Sequence, residues 1–176
     1  MPIKNIHTHS FEPARFLADN VGLLPRGRVL DVAMGFGHNA IYLARLGFMV
    51  EGVDISAEAI NTALISAHEA GVTIKAQIVN LESYTIEKDA YEVIICFNYI
   101  QRSLMPQIKN GLRIGGIVVY ETFIIDQAQF GKPKNPDYLL EHNELLDMFH
   151  DFRCLRYREG IFEDYKAIAS IIAEKV

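Results

Sequence analysis

Hydrophobic positions along the chain follow two alternating rhythms. Short apolar runs of five to eight residues are separated by longer stretches with helical spacing. Phe11 to Asn20 has the helical rhythm, and Leu24-Pro25-Arg26-Gly27 breaks it. Gly27 to Ala33 reads as a buried strand. His38 to Leu46 reads as a helix, with Ala40, Ile41, Leu43 and Ala44 on one side and Gly47 as its stop. Phe48 to Val53 is a second strand. Ser56 is placed to cap a third helix, with Glu58 in its first turn and Gly71 past its end. Val72 to Val79 and Tyr91 to Phe97 read as strands. Ser103 to Leu112 reads as a helix that tolerates Pro106 in its first turn, where no intrahelical N–H bond is lost. Gly115-Gly116 turns the chain into a strand from Ile117 to Phe123. A short helix over Asn143 to His150 precedes two closing strands, Phe152 to Arg158 and Ala167 to Glu174, expected to be antiparallel neighbours.

Strands alternating with helices imply βαβ units and a parallel sheet covered on both faces. The expected fold is therefore α/β and Rossmann-like: a mostly parallel seven-stranded sheet with an antiparallel C-terminal strand. Ligands on such sheets sit beyond the carboxyl ends of the strands. That rule selects Asp31 to Gly37, Asp54, Asn80 to Glu82, Phe97 to Arg102 and Tyr120 to Thr122 as candidates.

Composition narrows the classes. A chain of 176 residues with half of them hydrophobic suits one domain over 1–176, with 1–10 as a flexible N-terminus or short lid. The formal net charge is −5, so no broad basic footprint suggests nucleic acid. Cys96 and Cys154 are the only cysteines, and neither has metal-ligand spacing. Cys96, inside an apolar run, reads as a reduced core thiol. No charged-then-apolar leader opens the chain and no apolar run reaches about 18 residues, so a cytoplasmic protein without membrane partners is expected. His7-Thr8-His9 resembles a metal pair, but such pairs need a preceding apolar strand and further ligands. Met1 to Ile6 is a poor strand, so no metal site is expected.

Gly35-Phe36-Gly37-His38-Asn39-Ala40 fits G-x-G-x-x-A, a turn shared by dinucleotide enzymes and other nucleotide binders. Asp31, four positions earlier, discriminates between them. A carboxylate about 4 Å from one charge of a pyrophosphate would cost about 4 kcal/mol at an effective dielectric of 20. A cationic ligand reverses that sign. S-adenosylmethionine (SAM) offers an ammonium to Asp31 and a carboxylate to the helix N-terminus. Asp54 ends the second strand, where a carboxylate accepts ribose hydroxyls in either cofactor class. The plainer readings are a strand-end acceptor for Asp31 and a capping role beside Ser56 for Asp54.

The stretch VLDVAMGFGHNAIYLARLGFMVEGVDIS resembles the first two motifs of class I SAM-dependent methyltransferases, and more narrowly small bacterial ones of the tellurite-resistance type. FNYIQRSLMPQIKNGLRIGGIVVYETF is similar to their fourth and fifth strands with the intervening helix. QFGKPKNPDYLLEHNELLDMF is similar to a segment that follows. The likeness runs from Phe11 to the C-terminus. It implies that Asp31, Gly35 and Gly37 hold the methionine part of SAM. It also implies that Asp54 binds the ribose, Ile55 packs on the adenine, and Asn80 with Leu81 lies beside the adenine amino group. Ala33 takes the place of a frequent glycine, Met34 that of a common cysteine, and Asn80 that of a frequent aspartate. Phe97 joins the cofactor set. Many relatives open with an aromatic-rich covering segment; this chain has MPIKNIHTHS there.

Methyl transfer to a small-molecule acceptor is the expected reaction, with a thiol or chalcogen oxyanion as the acceptor class. Tyr99, Arg102 and Glu121 are the acceptor-side candidates: Tyr99 to pack on the acceptor, Arg102 to neutralise an anion, Glu121 to orient an amine or take a proton. Plainer readings are packing for Tyr99, an ion pair for Arg102 and a strand-end acceptor for Glu121. No catalytic base is assigned. The Phe97-Asn98-Tyr99-Ile100 stretch lacks the Pro-Pro pair of nucleic-acid amino-methylating enzymes, and no nucleic-acid partner is expected. A nicotinamide-dependent reductase and a non-catalytic SAM-binding protein are the alternatives. Asp31 opposes the first; turnover would exclude the second.

Overall fold

The computed structural model describes residues 12–162 and 165–176. The expected lid over 1–10 and the pair His7 and His9 lie outside the described residues. A helix α1 (Arg15–Asn20) leads into strand β1 (Arg28–Val32), helix α2 (His38–Arg45), β2 (Met49–Asp54), α3 (Ala57–Glu69) and β3 (Lys75–Ile78). The second half contains β4 (Tyr91–Phe97), α4 (Met105–Gly111), β5 (Leu112–Phe123), α5 (Glu144–Met148), β6 (Arg153–Phe162) and β7 (Lys166–Glu174).

The strands form one sheet in the order β3-β2-β1-β4-β5-β7-β6. Six of the seven run in one direction; β7 alone is reversed, lying between β5 and β6 and antiparallel to both. This is the class I methyltransferase arrangement expected from the sequence. The order reverses between β1 and β4, the place where an open α/β sheet leaves a crevice at its carboxyl edge.

Strand alternation sorts the core into two layers. Leu30, Val32, Ile94, Cys96 and Tyr120 face one layer, completed by α4 and α5 through Met105, Ile108, Leu145 and Phe149. Val29, Val93, Ile95, Phe97 and Val119 face the other, completed by α1, α2 and α3. The central strands are buried on both sides, as near-continuous apolar runs require.

Local chemistry sets the element ends. The Ser56 hydroxyl accepts from the backbone N–H of Ala59 at 3.1 Å, capping α3 as expected. The Gly115-Gly116 pair does not separate strand from loop. Strand β5 starts at Leu112, opposite Tyr91, and shifts register so that Ile117 pairs with Val93. Gly115 has a φ of 78°, which lets the extra residues bulge out. Strand β6 extends to Phe162, beyond the expected end at Arg158, because β7 pairs with it along its whole length.

The segment between β5 and α5 has no regular pattern in the sequence, yet it is ordered by polar anchors. The Gln127 side-chain oxygen accepts from Ala167 N–H at 2.9 Å, and its amide donates to the Lys132 carbonyl at 3.3 Å. Two short 3₁₀ turns, Ile125–Gln129 and Pro136–Tyr138, and a bridge from Ile124 to Leu140 complete it. No helix among the described residues is long and apolar enough to cross a membrane.

Candidate functional site

The carboxyl ends of β1, β2 and β4 enclose two joined cavities, of about 390 and 520 Å³. Ala33, Asp54 and Tyr99 line both. The turn after β1 builds the shared wall. Its first residue, Ala33, has a φ of 55°, a left-handed conformation costly for any residue with a Cβ. Met34 N–H then bonds the Val53 carbonyl at 3.0 Å, stitching the turn to β2. Gly35 and Gly37 are also left-handed, at 55° and 78°. They have different duties. Gly35 faces open space on the cavity wall, whereas a Cβ at Gly37 would stand 2.8 Å from the Cβ of Ala63. Gly37 is therefore a packing glycine between α2 and α3 and is not in the lining of either cavity.

Met34 has a larger role than its exchange for a cysteine suggests. Its side chain is buried and lies across Gly52, where any Cβ would overlap its sulfur at 2.0 Å. The pair fixes the spacing between the turn and β2.

Asp54 organises the turn from the other side. One carboxylate oxygen accepts from Gly35 N–H at 2.8 Å, the other from Ser56 N–H at 2.9 Å. A carboxylate has about four acceptor positions, so two remain for a ligand. The capping and ligand-binding readings of Asp54 are thus compatible.

Asp31 sits deepest. It is buried at the end of β1, and its Oδ2 has no hydrogen-bond partner among the described residues. Burial, and then the charge of Asp54, push its carboxyl up to about 8; the backbone N–H of Ala40 acts in the opposite direction. An orphaned, buried carboxylate oxygen in a cavity wall is costly unless a donor reaches it. A ligand ammonium is such a donor, so the residues present fit the amino-acid part of SAM.

The second cavity holds the adenine-side candidates. Ile55 is 68% exposed, an apolar side chain left open on the cavity wall. Asn80 and Leu81 line the same cavity, although the Asn80 side-chain oxygen already accepts from Glu82 N–H at 3.0 Å. Phe97 closes the floor of the first cavity at the end of β4. Of the nine cofactor-side candidates, the structure brings all but Gly37 to the walls of these two cavities.

The acceptor-side candidates do not stay together. Tyr99 is central, lining both cavities, with its hydroxyl donating to Gln101 Oε1 at 2.7 Å. Arg102 lines neither cavity and takes the ion-pair role that was its plainer reading. Its guanidinium grips both oxygens of Glu144 and donates to the Leu139 carbonyl at 2.8 Å and the Asp137 carbonyl at 3.3 Å. The Arg102 pair in turn holds the Glu144 carboxyl below its ordinary range. With its fork occupied, Arg102 fastens the segment before α5. Glu121 is likewise paired, accepting from Ser170 Oγ at 2.6 Å and from Arg158 at 3.1 Å. It lines a separate polar cavity beside Phe97 and Asn98.

Some wall residues lie outside the ranges selected from the sequence, namely His38, Asn39, Ser103 and Tyr138, and others, Asn98 and Gln101, lie inside them without an assigned role. His38 and Asn39 stand in the first turn of α2, inside the glycine motif itself. Gln101 and Ser103 follow β4. Asn98 has a φ of 56°, held by its N–H bonding the Glu121 carbonyl at 2.8 Å. Tyr138 comes from the irregular segment, which carries no periodic signal. No group of three or more His, Cys, Asp or Glu side chains among the described residues is arranged to hold a metal ion.

Comparison with known proteins follows the same lines. A family model described as tellurite resistance protein TehB matches residues 6–170. The structure of TehB from Haemophilus influenzae superposes with a TM-score of 0.81 at 20% identity, covering 93% of this chain and 63% of that one. A geranyl diphosphate C-methyltransferase from Streptomyces coelicolor, solved with S-adenosyl-L-homocysteine, gives 0.72 at 17% identity, over 92% of this chain and 78% of that one. The ubiquinone biosynthesis O-methyltransferase of Aeromonas salmonicida is 30% identical over 122 residues, 65% of this chain and 51% of its own. The chain thus spans about half the length of that curated relative. The match over nearly all of its sequence places this chain in the TehB family, within the class I SAM-dependent methyltransferases.

Proposed function

We propose that this protein transfers a methyl group from SAM to a small-molecule acceptor with a soft nucleophile, a thiol in the first instance. The observation that carries the reading is Asp31. A buried carboxyl with an oxygen unpartnered among the described residues, beside the Asp54 carboxylate at the switch point, suits a ligand with an ammonium, which favours ionisation of Asp31, whereas the charge of a pyrophosphate would oppose that ionisation and meet the charge of Asp54. That contrast favours SAM over a nicotinamide cofactor.

When bound, SAM supplies a methyl group on a positively charged sulfur whose departure leaves a neutral thioether, so the chain's own task is alignment and exclusion of water. Asp31 would receive the ammonium. Asp54 would receive ribose hydroxyls on the lone pairs left free by Gly35 and Ser56. Ile55, Asn80 and Leu81 would flank the adenine. Phe97, Asn98 and Tyr99 form the wall facing the acceptor. A thiolate arrives as a competent nucleophile and needs no base, which agrees with a site to which no base is assigned. A chalcogen oxyanion is the second reading, favoured by the family's tellurite-resistance description; with Arg102 engaged by Glu144, it loses the cation expected to receive it.

Thermal melts with SAM, S-adenosylhomocysteine, NADH and NADPH test the cofactor. The two adenosyl-sulfur ligands should raise the melting temperature by mass action, and the nicotinamides should leave it unchanged. The reverse result would overturn the reading. Formation of S-adenosylhomocysteine in a screen of small thiols then separates an enzyme from a SAM-binding protein without turnover.

A further inference from the structure

A third cavity, of about 760 Å³, opens against the far side of the cofactor cleft. Tyr99 lines all three cavities and Asn98 lines the first and the third, so the new space adjoins the wall where the acceptor must arrive. Its lining is mostly apolar: Tyr99, Phe123, Pro133 and Tyr138. Two cations stand in the same wall, Lys132 and Lys134. Neither has an ion-pair partner among the described residues.

This wall is a built feature of the fold. Gln127 ties the Lys132 carbonyl to the sheet through Ala167. Arg102 holds the carbonyls of Asp137 and Leu139, on either side of Tyr138. The segment is thus anchored at both ends, with its lysines and its tyrosine between the anchors. On a chain of net charge −5, two unpaired lysines beside an apolar cavity form a local site for an anion.

Resting on the methyl-transfer reading above, we infer that this cavity is the acceptor site and that it takes an amphipathic organic acid. Its apolar body sits among Phe123, Pro133 and Tyr138, its acid group meets Lys132 and Lys134, and its nucleophilic atom faces Tyr99 and Asn98. The volume is in the range of pockets that enclose whole organic ligands. A bare chalcogen oxyanion could meet Lys132 and Lys134 but would leave the apolar part of the cavity unfilled.

Calorimetric titration of the full chain, with and without saturating S-adenosylhomocysteine, tests the inference. The probes are 4-mercaptobenzoate and 6-mercaptohexanoate, compared with thiophenol, which lacks the acid, and selenite, which lacks the apolar body. The mercapto acids should bind about tenfold or more tightly than either comparator. In the K132A/K134A double variant that advantage over thiophenol should disappear, while affinity for thiophenol and S-adenosylhomocysteine stays within about twofold. Selenite binding more tightly than both mercapto acids, no binding of either acid, or an unchanged advantage in the double variant would each overturn the inference. Failure of S-adenosylhomocysteine to bind would count against the methyl-transfer reading alone. Lysine-dependent binding of the mercapto acids in its absence would still identify an organic-acid site.

Discussion

The two sides of the cleft are built on opposite plans. The cofactor side comes from the ends of adjacent strands β1 and β2 and one tight turn, with two carboxylates, Asp31 and Asp54, within one short stretch of chain. The proposed acceptor side is assembled from residues far apart in sequence: Tyr99 after β4, Phe123 at the end of β5, and Lys132 to Tyr138 in an irregular segment. One side mixes polar and apolar walls and holds a buried carboxyl oxygen without a partner among the described residues. The other is mostly apolar, with two lysines in its wall that have no ion-pair partner among the described residues. The difference teaches how a common fold divides its labour. A cofactor with fixed chemistry suits a local motif, whereas acceptor choice is left to a segment that the sheet does not constrain.

Removing the Asp54 carboxylate should break the cofactor side hardest. In Asp54→Ala the Gly35 and Ser56 N–H groups lose their acceptor and any ribose contact goes with them. We expect S-adenosylhomocysteine affinity to fall by about 1.5–3 kcal/mol, the range for hydrogen bonds to a charged group. Titration calorimetry on folded protein measures it; wild-type affinity would refute the assignment.

Asp31→Asn sharpens the same side through its pH dependence. The folded protein keeps a proton on Asp31 up to about pH 8, whereas the unfolded chain loses it near the ordinary carboxylate value. Stability of the unliganded wild type from this group is therefore full below about pH 4 and declines as pH rises to about 8. The Asn variant lacks that decline and should gain about 1–3 kcal/mol over wild type at alkaline pH. Ligand binding runs the other way. An ammonium favours the ionised carboxylate, so S-adenosylhomocysteine affinity should rise between about pH 6 and 8 in the wild type and less steeply in Asp31→Asn. Denaturant melts and calorimetry across pH read both; parallel pH profiles would separate Asp31 from the site.

Arg102→Gln probes the segment that carries Tyr138, which lines the proposed acceptor cavity and the edge of the second cavity. Losing the Glu144 pair and two carbonyl contacts should cost about 1–2 kcal/mol of stability. It should also raise acceptor KM severalfold by loosening the wall around Tyr138, with S-adenosylhomocysteine affinity held within about twofold. Equal losses on both sides would mean that the two halves are mechanically one.

The smallest effect is expected from Ala33→Gly. A left-handed alanine costs about 1–2 kcal/mol, partly offset by the greater chain entropy of glycine, so a net gain of about 0.5–1 kcal/mol should appear in thermal melts. A loss would mean that the Ala33 methyl packs usefully in the cavity wall.

What the sequence determined by itself is the part with short-range causes. The alternation of apolar runs with helical stretches implied the layered α/β sheet, because burial on two faces demands near-continuous apolar strands. Ser56 marked a helix start, and Asp31, Gly35 and Asp54 marked the wall of one cavity, because strand ends and tight turns are written in neighbouring residues. Tertiary structure alone decided the rest. It gave Arg102 to Glu144, 42 positions away, and Glu121 to Arg158 and Ser170. It turned Gly37 into a packing contact with Ala63 and Met34 into a spacer over Gly52. It also folded a segment without periodicity into a cavity wall through Gln127 and Arg102. The physical reason is common to these cases. A charged or amide side chain bonds whichever partner the fold brings within about 3 Å, and no local pattern records which partner that will be.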